Sequence, residues 1–394
     1  MRFIFYLLPC LLNIVSGLLF FITAKRAADA DVPSLAVTAT LSIWAVIYAA
    51  SSFIAGRYTT RENAVKTLFV SQFILLLSLA GLLLTPSVKL QYLYLLGCGC
   101  GLGLFFTPFQ AVVKLFEDVE ISAATFSRSA AKYTFSWSFG QGTGPLLAGV
   151  IWGMFDPVNG WKYCYMITIG IVLFDLVSLI SMQKFIRRKL AISATSENTP
   201  DSTSSEVETT KLPDIMKAVW ILCIGGFLAI SVLRSYLPDY ATKVLNLPTS
   251  AQGIALALIS LVQAFVALAC CKSQRWQFRP IPMFAAMLLG CGALLLAAFS
   301  ASSWAIYLAA AMFGIFTGLL CFMMTYHALA NAAKSARYAA GNETIVGGTA
   351  VLAPLAAGAI ADFMAPQTPF YLLIGAMLIS AVIYCRNIWQ YRNF

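Results

Sequence analysis

The sequence predicts an all-α integral membrane protein whose twelve transmembrane helices form two parallel-repeat six-helix bundles. Three observations predict this fold. Only 11% of the 394 residues are charged while 60% are apolar, apolar runs long enough to cross a membrane recur twelve times, and the second half of the chain repeats the first. Soluble domains carry about 25% charged residues, so the composition excludes an ordinary soluble enzyme and a disordered chain.

The predicted spans are apolar runs separated by short polar turns. A helix needs about 20 apolar residues to cross the hydrocarbon core. The first run is longer than the apolar stretch of a signal peptide, so we predict a retained span. In chain order the spans cover residues 3–23, 33–55, 67–84, 91–113, 128–153, 162–184, 215–238, 250–271, 280–300, 303–327, 338–362 and 368–386.

The basic excess of the chain indicates its orientation. The net charge is +10, from 26 basic and 16 acidic residues. An even number of spans places both termini on one side, and with the termini in the cytoplasm twenty basic residues fall on the cytoplasmic side, as the positive-inside rule expects. We therefore predict a multi-pass protein of the plasma (inner) membrane. Its expected partner is the lipid bilayer and not a nucleic acid.

One long polar stretch divides the predicted helices into six and six. Residues 186–213 are rich in Ser, Thr and Glu, which is typical of a flexible segment. We predict an N-terminal six-helix bundle at 1–185, a cytoplasmic linker at 186–213 and a C-terminal six-helix bundle at 214–394.

The two predicted bundles share an internal repeat. At an offset of 209 residues, "RSAA" at 128–131 aligns with "RYAA" at 337–340, and Pro145 aligns with Pro354. A second offset of 217 aligns helix four with helix ten. Parallel six-helix repeats are a transporter architecture, with the solute site at the interface of the repeats. The chain has no GxxxxGK[ST] phosphate loop, so uphill transport would use the gradient of an ion or of a counter-solute.

Helix five carries the most specific local motif. Its string "GQGTGPLLAG" at 140–149 resembles the fifth-helix motif GxxxGPxxGG of the major facilitator superfamily, with Gly140, Gly144, Pro145 and Gly149 in place and Ala148 replacing one glycine. The resemblance covers essentially the whole chain and implies the MFS fold, a transporter rather than an enzyme, and a central cavity lined by helices one, four, seven and ten. In that family the motif is associated especially with antiporters.

The loop between helices two and three resembles the second motif of that family only in part. Gly56 and Arg61 keep their places, but Thr60 stands where the family has Asp, and Asn63 replaces a glycine. The loop, with Arg57, remains a candidate charged gate on the cytoplasmic side.

Ionisable groups inside spans are costly and are therefore candidates for function. Glu343, next to Asn342 in "GNETIVGG", is the only Glu in a predicted span, and we interpret it as the coupling carboxylate of a proton carrier. The alternative is a structural ion pair with Arg57, Arg61 or Arg337.

The other candidates have structural alternatives too. Lys132, with Trp137 nearby, could bind an anionic or aromatic solute, or could simply snorkel to the interface. Arg234 and Asp239, near the outer end of helix seven, could line the solute path, form a gate pair or belong to an ordinary extracellular surface.

The only histidine, His327, ends helix ten beside Tyr326. Both could line the inner mouth of the cavity, opposite the repeat partner Gln110, or His327 could be an ordinary helix-end residue. A single histidine without further ligands at metal spacing predicts no metal site. Asp175 lies midway along helix six without a charged neighbour in the sequence.

Together these features predict a carrier that moves a small organic solute by alternating access. We expect coupling to a proton or other ion gradient, no cofactor and a monomer, with export by antiport favoured. The alternatives are a symporter or uncoupled facilitator that imports a solute such as a sugar or organic anion, and a receptor of transporter ancestry without turnover.

Overall fold

The regular structure of the described chain is entirely helical. A computed structural model describes residues 2–59, 63–114, 123–155, 158–196, 213–273, 275–300, 302–330 and 334–389. A helix pairs its backbone N–H and C=O groups within one segment, except at its ends, which is why an apolar chain of this kind adopts helices in a membrane.

Twelve α-helices follow one another within the described residues, as the apolar runs predicted. They are α1 (Arg2–Asp29), α2 (Ser34–Tyr58), α3 (Ala64–Leu84), α4 (Val88–Lys114), α5 (Ala123–Met154), α6 (Gly160–Ser196), α7 (Met216–Lys243), α8 (Thr249–Cys270), α9 (Pro280–Phe299), α10 (Ser303–Ala330), α11 (Ser335–Phe363) and α12 (Thr368–Ile388), with a short 3-10 turn at Arg275–Phe278 before α9.

Eleven of these helices are long and apolar enough to cross a membrane, within the part of the chain that was described. The exception is α5, which is long enough but is interrupted by Ser, Thr, Gln and Gly residues. Polar and small residues lower its mean hydropathy, and these are the residues that pack against neighbouring helices in membranes.

Helix α6 is longer than the sequence predicted. It continues to Ser196, eleven residues into the stretch expected to be a flexible linker. Residues 197–212 of that stretch lie outside the described residues. The division into bundles at 1–185 and 214–394 stays a prediction.

The chain forms two compact units, and each draws on several separate segments. The first contains Met1–Leu12, Ile43–Ile121 and Tyr165–Lys211. Within it, α4 packs closely on its neighbours through glycines. A Cβ atom on Gly101 would lie 3.0 Å from the Ser71 carbonyl oxygen of α3, and one on Gly103 would lie 2.6 Å from the Tyr48 carbonyl oxygen of α2.

The second unit contains Asn13–Ser42, Ser122–Cys164 and Leu212–Phe394. Within it, α5 and α8 run side by side. Their contact extends from Ser127, whose hydroxyl donates a hydrogen bond to the Cys271 carbonyl, to the crossing of Gly149 with Gly253. Midway along the pair, Gln263 Nε2 donates a hydrogen bond of 2.7 Å to Ser138 Oγ. This unit positions most of the candidate residues.

Candidate functional site

The glycine motif of α5 makes two helix crossings in the second unit. A Cβ atom on Gly144 would lie 2.5 Å from the Leu18 backbone nitrogen of α1, and one on Gly149 would lie 2.8 Å from the Gly253 Cα of α8. Gly140 is buried. The small residues of the motif therefore form a smooth helix face on which other backbones pack directly.

A cavity of about 20 Å³ lies beside these crossings, among α1, α5, α7 and α8. Gly17, Gln141, Arg234 and Ser260 line it, one from each helix, and each lies within five residues of the midpoint of its helix. Solute sites of transporters built from repeats lie at this depth. The volume holds roughly one water molecule, so a larger solute requires the cavity to widen.

Arg234 supplies the charge of this cavity. In the stretch 229–241 every side chain other than Arg234 is buried, whereas Arg234 is half-buried and lines the cavity. Its guanidinium takes part in none of the ion pairs formed within the described part of the chain. The sequence placed Arg234 near the outer end of its helix, whereas α7 continues to Lys243 and leaves Arg234 nearer the middle.

Two polar residues of the cavity were not singled out from the sequence. Gln141 Nε2 donates a hydrogen bond of 3.2 Å to Asn13 Oδ1 of α1, and Ser260 is 3% exposed. The sequence offered one signal for Gln141, which is the amide side chain inside the small-residue stretch of α5.

Asp239 belongs to a different network from Arg234. Its carboxylate lies 2.8 Å from Lys243 Nζ and accepts a hydrogen bond of 2.5 Å from Ser34 Oγ. A separation of five residues turns two side chains about 140° apart on an α-helix. The spacing therefore does not favour a local gate pair of Arg234 with Asp239.

Asp362 was not among the candidates predicted from the sequence, and it completes this network. Its carboxylate accepts hydrogen bonds from the backbone nitrogens of Ser34 (2.7 Å) and Leu35 (2.9 Å). The first turn of a helix has unsatisfied N–H groups and a partial positive charge, both of which an acidic side chain stabilises. Through Asp239 and Asp362, α7 and α11 hold the beginning of α2.

Glu343 is exposed on α11, and none of the ion pairs among the described residues involves it. The adjacent Asn342 is buried, and its Oδ1 accepts a hydrogen bond of 2.8 Å from Trp220 Nε1 of α7. Successive side chains on an α-helix point about 100° apart. The hydrogen bond of Asn342 with Trp220 therefore directs Glu343 away from α7.

The beginning of α11 is also tied to the segment before α7. Asp214 Oδ2 accepts hydrogen bonds from Lys334 Nζ (2.8 Å) and from the Tyr338 hydroxyl. Partial burial acts to raise the pKa of Asp214, but the hydrogen bonds from Lys334 and Tyr338 outweigh it and lower that pKa below its ordinary value. The hydrogen bond between Lys334 and Asp214 also raises the pKa of Lys334.

His327 and Tyr326 are core residues of α10 in this structure. His327 is 5% exposed, with its ring edge-on to Phe278 at 5.6 Å and to Tyr326 at 5.2 Å. Tyr326 is fully buried and stacks on Phe322. The side chain of Gln110 lies outside the described residues.

The remaining candidates lie apart from the cavity lining. Lys132 is exposed and Trp137 is half-buried on α5. Gly56 and Arg57 are exposed at the end of α2, and Arg61 lies outside the described residues. The described residues contain no group of three or more His, Cys, Asp and Glu side chains that could hold a metal ion.

Asp175 has a partner in the first unit. Gln72 Nε2 of α3 donates a hydrogen bond of 2.7 Å to Asp175 Oδ2, and both side chains are fully buried. No charged residue lies near Asp175 in the sequence, so only the fold could identify this amide partner, 103 residues away.

Solved structures that are similar to this chain are membrane transporters. The inward-open xylose transporter XylE from E. coli has a TM-score of 0.68 and 14% identity, with 99% of this chain and 96% of that chain covered. The nucleoside transporter NupG has a TM-score of 0.68 and 10% identity, with 99% of both chains covered. The human organic anion transporter MFSD10 (TETRAN) has a TM-score of 0.58 and 13% identity, with 97% of both covered. Comparison with curated protein sequences finds no match.

These comparisons define the class as a multi-pass membrane protein with a transporter fold. The sequence model of the Major Facilitator Superfamily matches residues 119–341, which is more than half of the chain. The chain belongs to the Major Facilitator Superfamily, a family of transporters.

Proposed function

We propose that the protein is a secondary active transporter that moves a small organic solute by alternating access, coupled to protons, in the plasma membrane. In this proposal both termini lie in the cytoplasm, the transporter works as a monomer without a cofactor, and proton antiport drives export. The names of the three similar structures support the solute class, since they are a xylose, a nucleoside and an organic anion transporter.

The cavity among α1, α5, α7 and α8 carries this proposal. It combines polar groups that could orient a solute, Gln141, Arg234 and Ser260, with an otherwise apolar lining at the middle of the helices. Binding pockets for small molecules have this composition, mostly apolar with a few placed polar groups. The proposed solute enters this cavity when the surrounding helices separate on one side of the membrane.

Glu343 is the proposed proton carrier. It is exposed although it lies inside a candidate membrane span, Arg337–Phe363, and no described residue neutralises its charge. A carboxyl group that is open to water from one side at a time can take up and release a proton without breaking an ion pair.

Export is the proposed direction because of the fifth-helix motif and its packing. Gly144 and Gly149 bring α1 and α8 against α5 without intervening side chains. Small residues let the backbones of neighbouring helices approach closely, and a helix face without protruding side chains suits a contact that changes during alternating access.

Transport by purified protein in liposomes tests the proposal. A pH gradient is imposed, a panel of sugars, nucleosides and organic anions is supplied, and solute and lumenal pH are followed together. We expect one solute class to accumulate against its gradient with proton movement in the opposite direction. Co-directional protons would indicate symport, solute movement without protons would overturn coupling, and tight binding without movement would favour the receptor alternative.

Variants at Glu343 test the coupling role separately. Glu343→Gln should abolish the pH-driven component while solute exchange at equal pH persists. Glu343→Asp keeps a carboxyl group and should retain pH-driven transport, and the neighbouring exposed Thr344→Val serves as the control for helix α11. Full pH dependence in Glu343→Gln would remove Glu343 from the mechanism.

A further inference from the structure

Arg234 places one positive charge in the cavity without a described counter-charge. A cation within a membrane span is costly and usually has a partner or a function. None of the ten residues that line the cavity is acidic. The nearest acid along α7, Asp239, already contacts Lys243 and Ser34.

The groups around Arg234 fit a carboxylate better than a neutral head group. A guanidinium presents parallel N–H donors that bind a carboxylate at two points. Gln141 and Ser260 add an amide and a hydroxyl on adjoining helices. Gln141 uses Nε2 for its hydrogen bond to Asn13, and that nitrogen carries a second N–H.

The rest of the lining is apolar and partly aromatic. It consists of Phe20, Phe21, Pro145, Ile230, Leu256 and Ile259, besides the small Gly17. Such a surface gains little from a second charge or from many hydroxyl groups, because each buried polar group needs its own partner. A solute with one charged end and an apolar body satisfies both parts of the cavity.

We propose that the transported solute is an organic monoanion with an apolar body, whose carboxylate binds Arg234. This inference rests on the proposed transport function, and it names the class of solute for the same cavity. The anion neutralises Arg234, and the apolar lining contributes through the area removed from water.

Pairs of solutes that differ only in charge test this proposal on the unaltered protein. The pairs are acetate with acetamide, hexanoate with hexanamide, benzoate with benzamide, and phenylacetate with phenylacetamide. Binding is measured through the thermal unfolding midpoint of the detergent-solubilised full chain, which rises when a ligand binds the folded state. We expect hexanoate, benzoate and phenylacetate to bind at least about tenfold more tightly than their amides and than acetate. Equal binding within the pairs, or no binding of any anion, would overturn the proposal.

Variants at Arg234 locate the anion. Arg234→Gln should weaken benzoate binding at least about tenfold, and Arg234→Lys should weaken it less because the charge remains but the forked geometry is lost. Arg386→Gln removes an exposed positive charge on α12 and should leave binding within about twofold of the original. Equal losses in Arg234→Gln and Arg386→Gln would show that only the overall charge matters and would overturn the assignment.

Transport measurements separate this inference from the proposed function. Benzenesulfonate is followed in liposomes beside a neutral sugar and a nucleoside. It offers Arg234 paired anionic oxygens as a carboxylate does, and as the anion of a strong acid it does not cross lipid in a neutral form. We expect movement of benzenesulfonate only. Movement of a neutral solute while anions neither bind nor compete overturns the inference and leaves the transporter intact. Anion binding without movement of any solute overturns the transport function and leaves the anion site.

Discussion

The buried pair of Asp175 with Gln72 shows how an acidic residue can reside inside a span without a cation. After the hydrogen bond from Gln72 Nε2, the atoms that remain without a partner among the described residues are Asp175 Oδ1 and Gln72 Oε1. Both are acceptors when the carboxyl group is ionised. One proton on Oδ1 would turn it into a donor for the amide oxygen and satisfy both atoms at once.

This arrangement predicts that Asp175 acts as a neutral group. Asp175→Asn keeps one donor and one acceptor facing Gln72 and should leave the thermal unfolding midpoint nearly unchanged. Asp175→Ala should lower the free energy of unfolding by about 1–3 kcal/mol, because the Gln72 amide is left unpaired in the core. Equal destabilisation by both substitutions would show that Asp175 is needed as a charge.

Asp214 gives a pH-dependent prediction outside the membrane spans. Because its pKa is lowered in the folded protein, its stabilising contribution is present at neutral pH and is lost as the pH falls through the folded pKa, below the ordinary value of 3.8. Asp214→Asn should lower the thermal midpoint by about 1–3 °C at pH 7 and by progressively less as the pH is lowered below 3.8.

A double-mutant cycle with Lys334→Met identifies the partner. The two substitutions should be non-additive at pH 7 and should become additive at acid pH, where the ion pair is absent. Additivity at both pH values would contradict a stabilising contact between Asp214 and Lys334.

At the scale of elements, the number and order of helices follow from the sequence, but their ends do not. Hydropathy detects only the part of a helix that lies in apolar surroundings. Helix α6 continues through "RRKLAISATS" because Arg, Lys, Leu and Ala are good helix formers in water too. The opposite effect lowers the apolar signal of α5, whose polar and small residues serve packing.

The crossing of α1 with α5 gives a prediction about packing. Gly144→Ala would place a Cβ atom 2.5 Å from a backbone nitrogen of α1, so the helices must separate. We expect a loss of about 1–3 kcal/mol in the free energy of unfolding. Gly375→Ala in α12 is the matched control, because a Cβ atom there meets nothing within 4 Å. A Gly144→Ala protein as stable as Gly375→Ala would contradict this close approach.

At the scale of the whole molecule, composition, apolar runs and the repeat sufficed to predict the fold class. The candidate site was only partly predictable, because its members come from distant helices. Arg234 was found from its charge, whereas Gln141 and Ser260 are ordinary polar residues until α1, α5, α7 and α8 surround one cavity. Likewise, the hydrogen bonds of Asp362 with the start of α2 join residues more than 300 positions apart.

The orientation of the chain remains a prediction and can be measured directly. An epitope tag after Phe394 should be reached by antibody only from the cytoplasmic side of membrane vesicles, and a tag after Pro86, between α3 and α4, only from the opposite side. The basic residues concentrated on the side of the termini are the physical reason. Reversed accessibility of both tags would overturn the orientation.

The single cation of the cavity also has an electrical consequence. A unit charge that crosses the membrane field changes the free energy by about 2.3 kcal/mol per 100 mV. With a monoanion bound to Arg234 the cavity is neutral, and without it the cavity carries one positive charge. Membrane voltage should therefore act on the return step, in which no anion is bound to Arg234, and should leave the exchange of one bound anion for another unaffected.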